Sequence, residues 1–267
     1  MSTQQSQGSS LKSLFSMMVI PLAILASYLI YFFLLGNGAN FEGGNNDNHP
    51  INTLGTIYKG GVAIVPILIS ALIIILTFSI ERFITIAKAN GKGRVESFIR
   101  NVRALLSDGK IDEAIASCDK QQGSVANVIK SGLTKYKQVE NNAGMDKESK
   151  IVAIQKELEE ATSLELPMLS KNLVIISTLA SIATLLGLIG TVLGMIKAFS
   201  ALAQAGAPDA TALATGISEA LINTALGISG SAIAIIMYNY FSSKIDGLTY
   251  SIDEAGFSVV QTFASKH

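Results

Sequence analysis

Glu219, Thr224 and Thr191 are the residues of this chain whose types and surroundings allow chemistry, because all three sit in long apolar runs. One run spans about Leu173 to Phe199 and contains Gly187-Leu-Ile-Gly190-Thr191-Val-Leu-Gly194. The next spans about Ala210 to Phe241 and contains Glu219-Ala-Leu-Ile-Asn223-Thr224-Ala-Leu-Gly227. A carboxyl group inside a membrane helix costs a few kcal/mol (~2.5–3.5 for the comparable Asp on insertion scales). It is therefore buried between helices or placed beside water, and an ion pathway is the default expectation. On a helix, residues seven apart share a face, which stacks Thr184, Thr191 and Ala198 in the first run and Ile217, Thr224 and Ser231 in the second. Glu219 stands ~140° from Thr224, so the two cannot look straight into one narrow lumen; Thr215 and Asn223 share its face. Membrane Ser and Thr also bond their own helix backbone or pack helices together, a purely structural use that remains open for Thr191 and Thr224. Glu219 lies about eight residues into its run, roughly 12 Å along the axis, which makes escape to water from the helix end uncomfortable.

Four apolar segments must carry these residues. Of the 267 residues 49% are hydrophobic and only 15% charged, with mean hydropathy +0.44, against about 25% charge in a soluble domain. The expected fold is all-α: a polytopic membrane protein with four transmembrane helices whose long ends extend into a cytoplasmic helical bundle. The spans are Leu14 to Leu35, Val62 to about Phe83, 173–199 and 210–241. Residues 1–61 read as an N-terminal span with its outer loop, residues 84–168 as the cytoplasmic segment, and 242–267 as a cytoplasmic C-terminal helix. A cleaved signal peptide is the alternative for the first span, but its apolar run of about 22 residues exceeds the ~7–15 of a signal core.

Lys and Arg set the orientation. They crowd from Arg82 to Lys156, whereas the loop Gly36 to Gly61 has only Lys59 and the hairpin Ser200 to Asp209 has none. The basic segment and both termini are expected in the cytoplasm. The Asn- and Gly-rich stretch 36–50 reads as a mobile tether, and Pro167 as a kink near the membrane surface.

Net charge is zero, which offers no general attraction to nucleic acid. The single Cys118 reads as a small core residue, and His49 and His267 have no companions for a metal. With no phosphate loop, nucleophile elbow or ligand cluster in the sequence, we expect no enzyme activity, no cofactor and no catalytic or metal site. Glu157, Glu159 and Glu160 read as an exposed face or inter-subunit contact.

At Leu185-Leu-Gly-Leu-Ile-Gly-Thr-Val-Leu-Gly-Met195, Ile217-Ser-Glu-Ala-Leu-Ile-Asn-Thr-Ala-Leu-Gly227 and Tyr238-Asn239 the chain resembles the MotA/TolQ/ExbB proton-channel family, in its ExbB/TolQ branch. The resemblance covers residues 62–267. It implies a pentamer in the bacterial inner membrane that encloses a dimer of ExbD/TolR-type single-span partners and drives a TonB-type effector to energise outer-membrane transport. It further implies that Thr191 and Thr224 line the proton path and that Glu219 is the family's intramembrane glutamate. Two departures are Thr184 where the family commonly has proline, and Ser231-Ala-Ile-Ala-Ile-Ile236, which lacks the usual proline. The extra first span goes beyond the three-span plan. TolQ-like, gliding-type and flagellar-stator roles are alternatives within the family; a secondary transporter or a structural tetraspan protein are alternatives outside it.

Overall fold

The computed structural model describes residues 18–140, 142–204 and 210–266. In order they form α1 (Met18–Leu35), α2 (Thr53–Tyr58), α3 (Val65–Ala89), α4 (Val95–Ser107), α5 (Ile111–Gln121), α6 (Gly123–Glu140), α7 (Lys147–Ser170), α8 (Leu173–Gln204) and α9 (Ala210–Lys266). The chain is an all-α polytopic membrane protein: α1, α3, α8 and α9 are each long and apolar enough to cross a bilayer. Two compact units emerge, one of Met1–Ser79 with Ile175–Tyr238 and the other of Ile80–Val174 with Asn239–His267.

In the first unit the α8–α9 contact is made by absent side chains. A Cβ on Gly187 would lie 3.0 Å from the Asn223 carbonyl oxygen and 3.1 Å from the Gly227 Cα, and one on Gly194 would lie 2.8 Å from the Gly216 carbonyl oxygen. A Cβ on Gly190 would overlap the Asn223 side chain itself. Lipid supplies no hydrophobic drive between helices, so this close backbone approach, which only small residues permit, is what joins them. Helix α1 closes on the same unit through Tyr31, Leu35 and Val65, with Ile57, Tyr58 and Leu226 around them. Its opposite face leaves Leu22, Leu25, Leu29 and Phe33 exposed, as lipid contact requires. Its last turn, Ile30–Leu35, widens to a π-helix. The opening residues of the expected span, Leu14 to Met17, lie outside the described residues.

The segment after α1 is folded, which corrects the tether expectation. Asn40 donates from Nδ2 to the carbonyls of Leu34 (2.7 Å) and Leu35 (2.9 Å), capping α1. Asn52 accepts the Gly55 amide at 2.9 Å and so caps α2. Phe41, buried to 3% exposure, bridges to Pro50 and packs edge-on against Tyr58. Tyr58 in turn stacks on Tyr31 at 4.6 Å, and the Tyr31 hydroxyl donates to the Tyr58 carbonyl at 3.0 Å. Asparagine density that suggested disorder is instead a set of caps and turn formers. The span expected from Val62 begins at Val65 and runs past Phe83 to Ala89.

The second unit is a helical bundle. The apolar stripe of α4 (Phe98, Ile99, Val102, Leu106) is buried as its spacing predicts, and so are Ala114 and Cys118 of α5. Helix α6, which the periodicity did not single out, is buried along Val125, Ile129, Leu133 and Tyr136. The C-terminal part of α9 completes this core: Phe263 meets Tyr136 edge-on at 4.7 Å, and Arg103 binds Glu254 at 2.8 Å and Ser258 at 2.8 Å. The expected kink at Pro167 is displaced. Proline stays inside α7, and the chain breaks at Lys171 (ψ 138°) and Asn172 (φ 66°), a left-handed position that Asn tolerates.

Arg82, 1% exposed, pins that break. Its guanidinium donates to the Leu169 carbonyl at 2.9 Å and the Met168 carbonyl at 3.3 Å, two of the carbonyls a helix end leaves open. It also grips Glu81 at 2.6 Å, and Asn172 donates to the same carboxylate at 3.3 Å. Arg82 thus joins the end of α7 to α3 through a charge that has no route to water.

Three outcomes follow from this packing. Arg82→Ala leaves Glu81 without its cation and the Leu169 carbonyl without its donor and lowers stability by about 3–5 kcal/mol, read as a lower unfolding midpoint in detergent; Arg82→Lys, which lacks the planar fork, recovers part of it. Gly190→Ala forces α8 from α9 and costs about 1–3 kcal/mol, whereas Gly247→Ala, with open space around it, is neutral or gains up to about 1 kcal/mol. Burial pushes the Cys118 thiol up to about 12. At pH 8 its thiolate fraction is on the order of 1 in 10⁴, so maleimide labels it only once the bundle opens, as a labelling time course with and without denaturant would show.

Candidate functional site

Helix α8 is apolar because it must lie in hydrocarbon, and its glycines fix which side meets α9. Taking the seam as the residues in closest contact (Gly187, Gly190, Gly194 and Ala198 on α8; Gly216, Ala220, Asn223 and Gly227 on α9), the remaining polar groups sort at ~100° per residue. Thr184 and Thr191 fall roughly 55–75° to one side of the seam on α8. Thr224 and Ser231 fall about 50–70° to the same side of α9, because the two helices run antiparallel. Lys197 and Glu219 fall about 65–70° to the other side. One flank of the pair therefore carries these four hydroxyls, and the other carries the two charges beside the Thr215 hydroxyl.

On the hydroxyl flank, Thr191 donates to the Leu188 carbonyl at 2.5 Å and Thr224 to the Ala220 carbonyl at 3.1 Å. Each hydroxyl thus satisfies its hydrogen on its own helix and presents lone pairs outward as an acceptor. The same flank continues into a cavity of about 330 Å³ in which Ser177, Ser181, Thr184, Ser231 and Tyr238 contribute hydroxyls. These groups are half-buried or exposed in the single chain, apart from the buried Ser231.

On the charged flank, Glu219 is 9% exposed. Both of its oxygens accept from the Lys197 ammonium, at 2.7 and 3.0 Å. Asn223, one turn further on, is fully buried and donates from Nδ2 to the Gly60 carbonyl at 2.9 Å. Its Oδ1 is buried without a hydrogen-bond partner among the described residues. Gly61 follows with φ +97°, and any side chain there would overlap the Glu219 carboxylate. The turn leading into α3, the end of α8 and the start of α9 therefore converge on one carboxylate.

Of the three residues singled out in the sequence, Thr191 and Thr224 share a flank and Glu219 stands across the seam from them. Sequence reasoning missed Lys197 and the Gly60–Gly61 turn. A lone lysine two residues before the end of an apolar run was the available signal for the first; nothing local signalled the second. Among the described residues no cluster of three or more His, Cys, Asp or Glu side chains is placed to hold a metal ion.

Two comparisons with known proteins bear on the chain. Over 124 residues the chain is 25% identical to the Tol-Pal system protein TolQ of Pseudomonas aeruginosa, an alignment that takes in 46% of this chain and 54% of that one. The chain thus spans about half the length of the curated relative it matches. The description of the MotA/TolQ/ExbB proton channel family matches residues 120–254, half of the sequence and all of both flanks. An all-helical membrane protein with that match over its hydroxyl flank and its intramembrane ion pair belongs to the MotA/TolQ/ExbB proton channel family.

Proposed function

We propose that this chain is an ExbB-like, multi-copy subunit of an inner-membrane proton channel, and that residues 62–267 form its conducting part. With single-span partners of the ExbD/TolR type it would convert proton motive force into work on a TonB-type effector. The hydroxyl flank carries this reading. Thr184, Thr191, Thr224 and the Ser177–Tyr238 cavity put a file of acceptors on the side of two membrane helices. Hydrocarbon offers such groups nothing, so they face water or another helix in the working assembly. One charge crossing 100 mV releases ~2.3 kcal/mol, so work at a distance draws on several protons, and a ring of identical subunits supplies repeated equivalent sites. In this reading both termini and the Ile80–Val174 bundle are cytoplasmic, as the distribution of Lys and Arg requires. A TolQ-like role in the same kind of motor is the second reading, favoured by the 25% identity to TolQ.

Reconstitution of the chain with its single-span partner in liposomes, under an imposed potential, tests this. Thr191→Val and Thr224→Val each remove one acceptor worth about 0.5–1.5 kcal/mol and lower proton flux by up to about tenfold, with an unchanged unfolding midpoint. Wild-type flux from both Val variants would reject the path along this flank.

A further inference from the structure

We propose that Lys197 is the dedicated counterion of Glu219, holding it as a standing carboxylate that does not itself carry protons. This deepens the proposed function, on which its mechanistic meaning rests, and is argued from the charged flank alone.

The niche is shaped for a carboxylate. The Lys197 ammonium reaches both oxygens of Glu219, the pairing that a charged acid makes and a protonated one makes poorly. Gly61 leaves the space that the carboxylate occupies and holds a backbone conformation that side chains disfavour, so α3 approaches Glu219 without displacing it. The cation and anion differ in access: the Lys197 side chain is 61% exposed and that of Glu219 is 11% exposed. A lysine stem allows that arrangement, since its methylenes lie along apolar helix while the ammonium stays at the edge of the pair.

The groups facing Glu219 from other elements supply no second charge. From α1, Tyr31 lies within electrostatic reach, but its hydroxyl already donates to the Tyr58 carbonyl of α2. Lys59, just before the Gly60–Gly61 turn, is engaged with the Asp47 carbonyl at 3.0 Å and the Phe41 ring. On its own helix the neighbour one turn away is Asn223, committed to Gly60. Lys197 is therefore the single ionic partner of Glu219 among the described residues.

Position completes the argument. A proton carrier must meet the path, yet Glu219 is turned across the seam from Thr191 and Thr224 and closed in by three elements. A carboxylate in that place, compensated by Lys197, is held apart from the path and exchanges no proton with it. Without Lys197 the same niche would hold an uncompensated charge, and the acid would discharge by binding a proton. Lys197→Gln is thus expected to turn a fixed charge into a titrating one.

Infrared titration of the purified full chain in nanodiscs reads that change directly. At neutral pH the wild type shows no carboxylic-acid band that Glu219→Gln removes. Lys197→Gln gains such a band, equal to one carboxyl group per chain, and the double variant Lys197→Gln/Glu219→Gln loses it again. Lys197→Arg, which keeps the charge, shows none. In liposomes with the partner, flux through Lys197→Gln acquires a new pH inflection that the double variant lacks and Lys197→Arg does not show. A Glu219-dependent acid band in the wild type at neutral pH overturns the proposal, and this reading needs no Lys197 variant to fold. A Lys197→Gln chain with no added band overturns it as well. Absence of wild-type flux together with the expected bands rejects the proposed function and leaves the counterion standing, so the two failures are told apart.

Discussion

The α8–α9 seam is the constraint on which the rest of this membrane unit depends. Five glycines and two alanines bring two backbones close enough that Cβ atoms would collide at Gly187, Gly190, Gly194 and Gly227. In lipid nothing else would hold two apolar helices in one register, since their side chains are as content beside acyl chains as beside each other. Fixing the register also fixes azimuth. That single choice assigns Thr184, Thr191, Thr224 and Ser231 to one flank and Lys197 and Glu219 to the other, although the charges lie between the hydroxyls along the sequence.

Separation has a chemical consequence. Hydroxyls that have spent their hydrogens on their own helices offer only lone pairs, which suits transient contact with water or a protonated carrier and avoids a deep trap for charge. A carboxylate on the same flank would bind a proton or a cation too firmly to let it go. Glu219 instead stands across the seam, with its oxygens against Lys197 and the Gly61 backbone. Arg82 solves a comparable problem in the other unit: a charge without access to water is tolerable because two helix-end carbonyls, Glu81 and the Thr85 hydroxyl accept its hydrogen bonds.

How far the fold could be read from the sequence differs by element, for physical reasons. The apolar spans were legible because hydrocarbon thickness imposes a length and a composition that no soluble helix shares. The 36–50 stretch was misread because an asparagine that caps a helix has the same composition as one in a disordered linker; only the targets of Asn40, at the end of α1, distinguish it. Pro167 was misjudged because a proline within a helix does not fix where the chain turns, whereas the Arg82 grip on Leu169 and the left-handed Asn172 do.

By itself, then, the sequence determined that this is a helical membrane protein and which helices carry polar groups. Local pattern suffices for that, since hydropathy and helical period are properties of neighbouring residues. Tertiary structure alone decided which of them act together. The Lys197–Glu219 pair spans 22 positions and the Asn223–Gly60 bond spans 163, and both exist only once the glycine seam has set the register of α8 against α9. No local signal encodes a register, because it is settled by the summed fit of backbones that meet only in the folded chain.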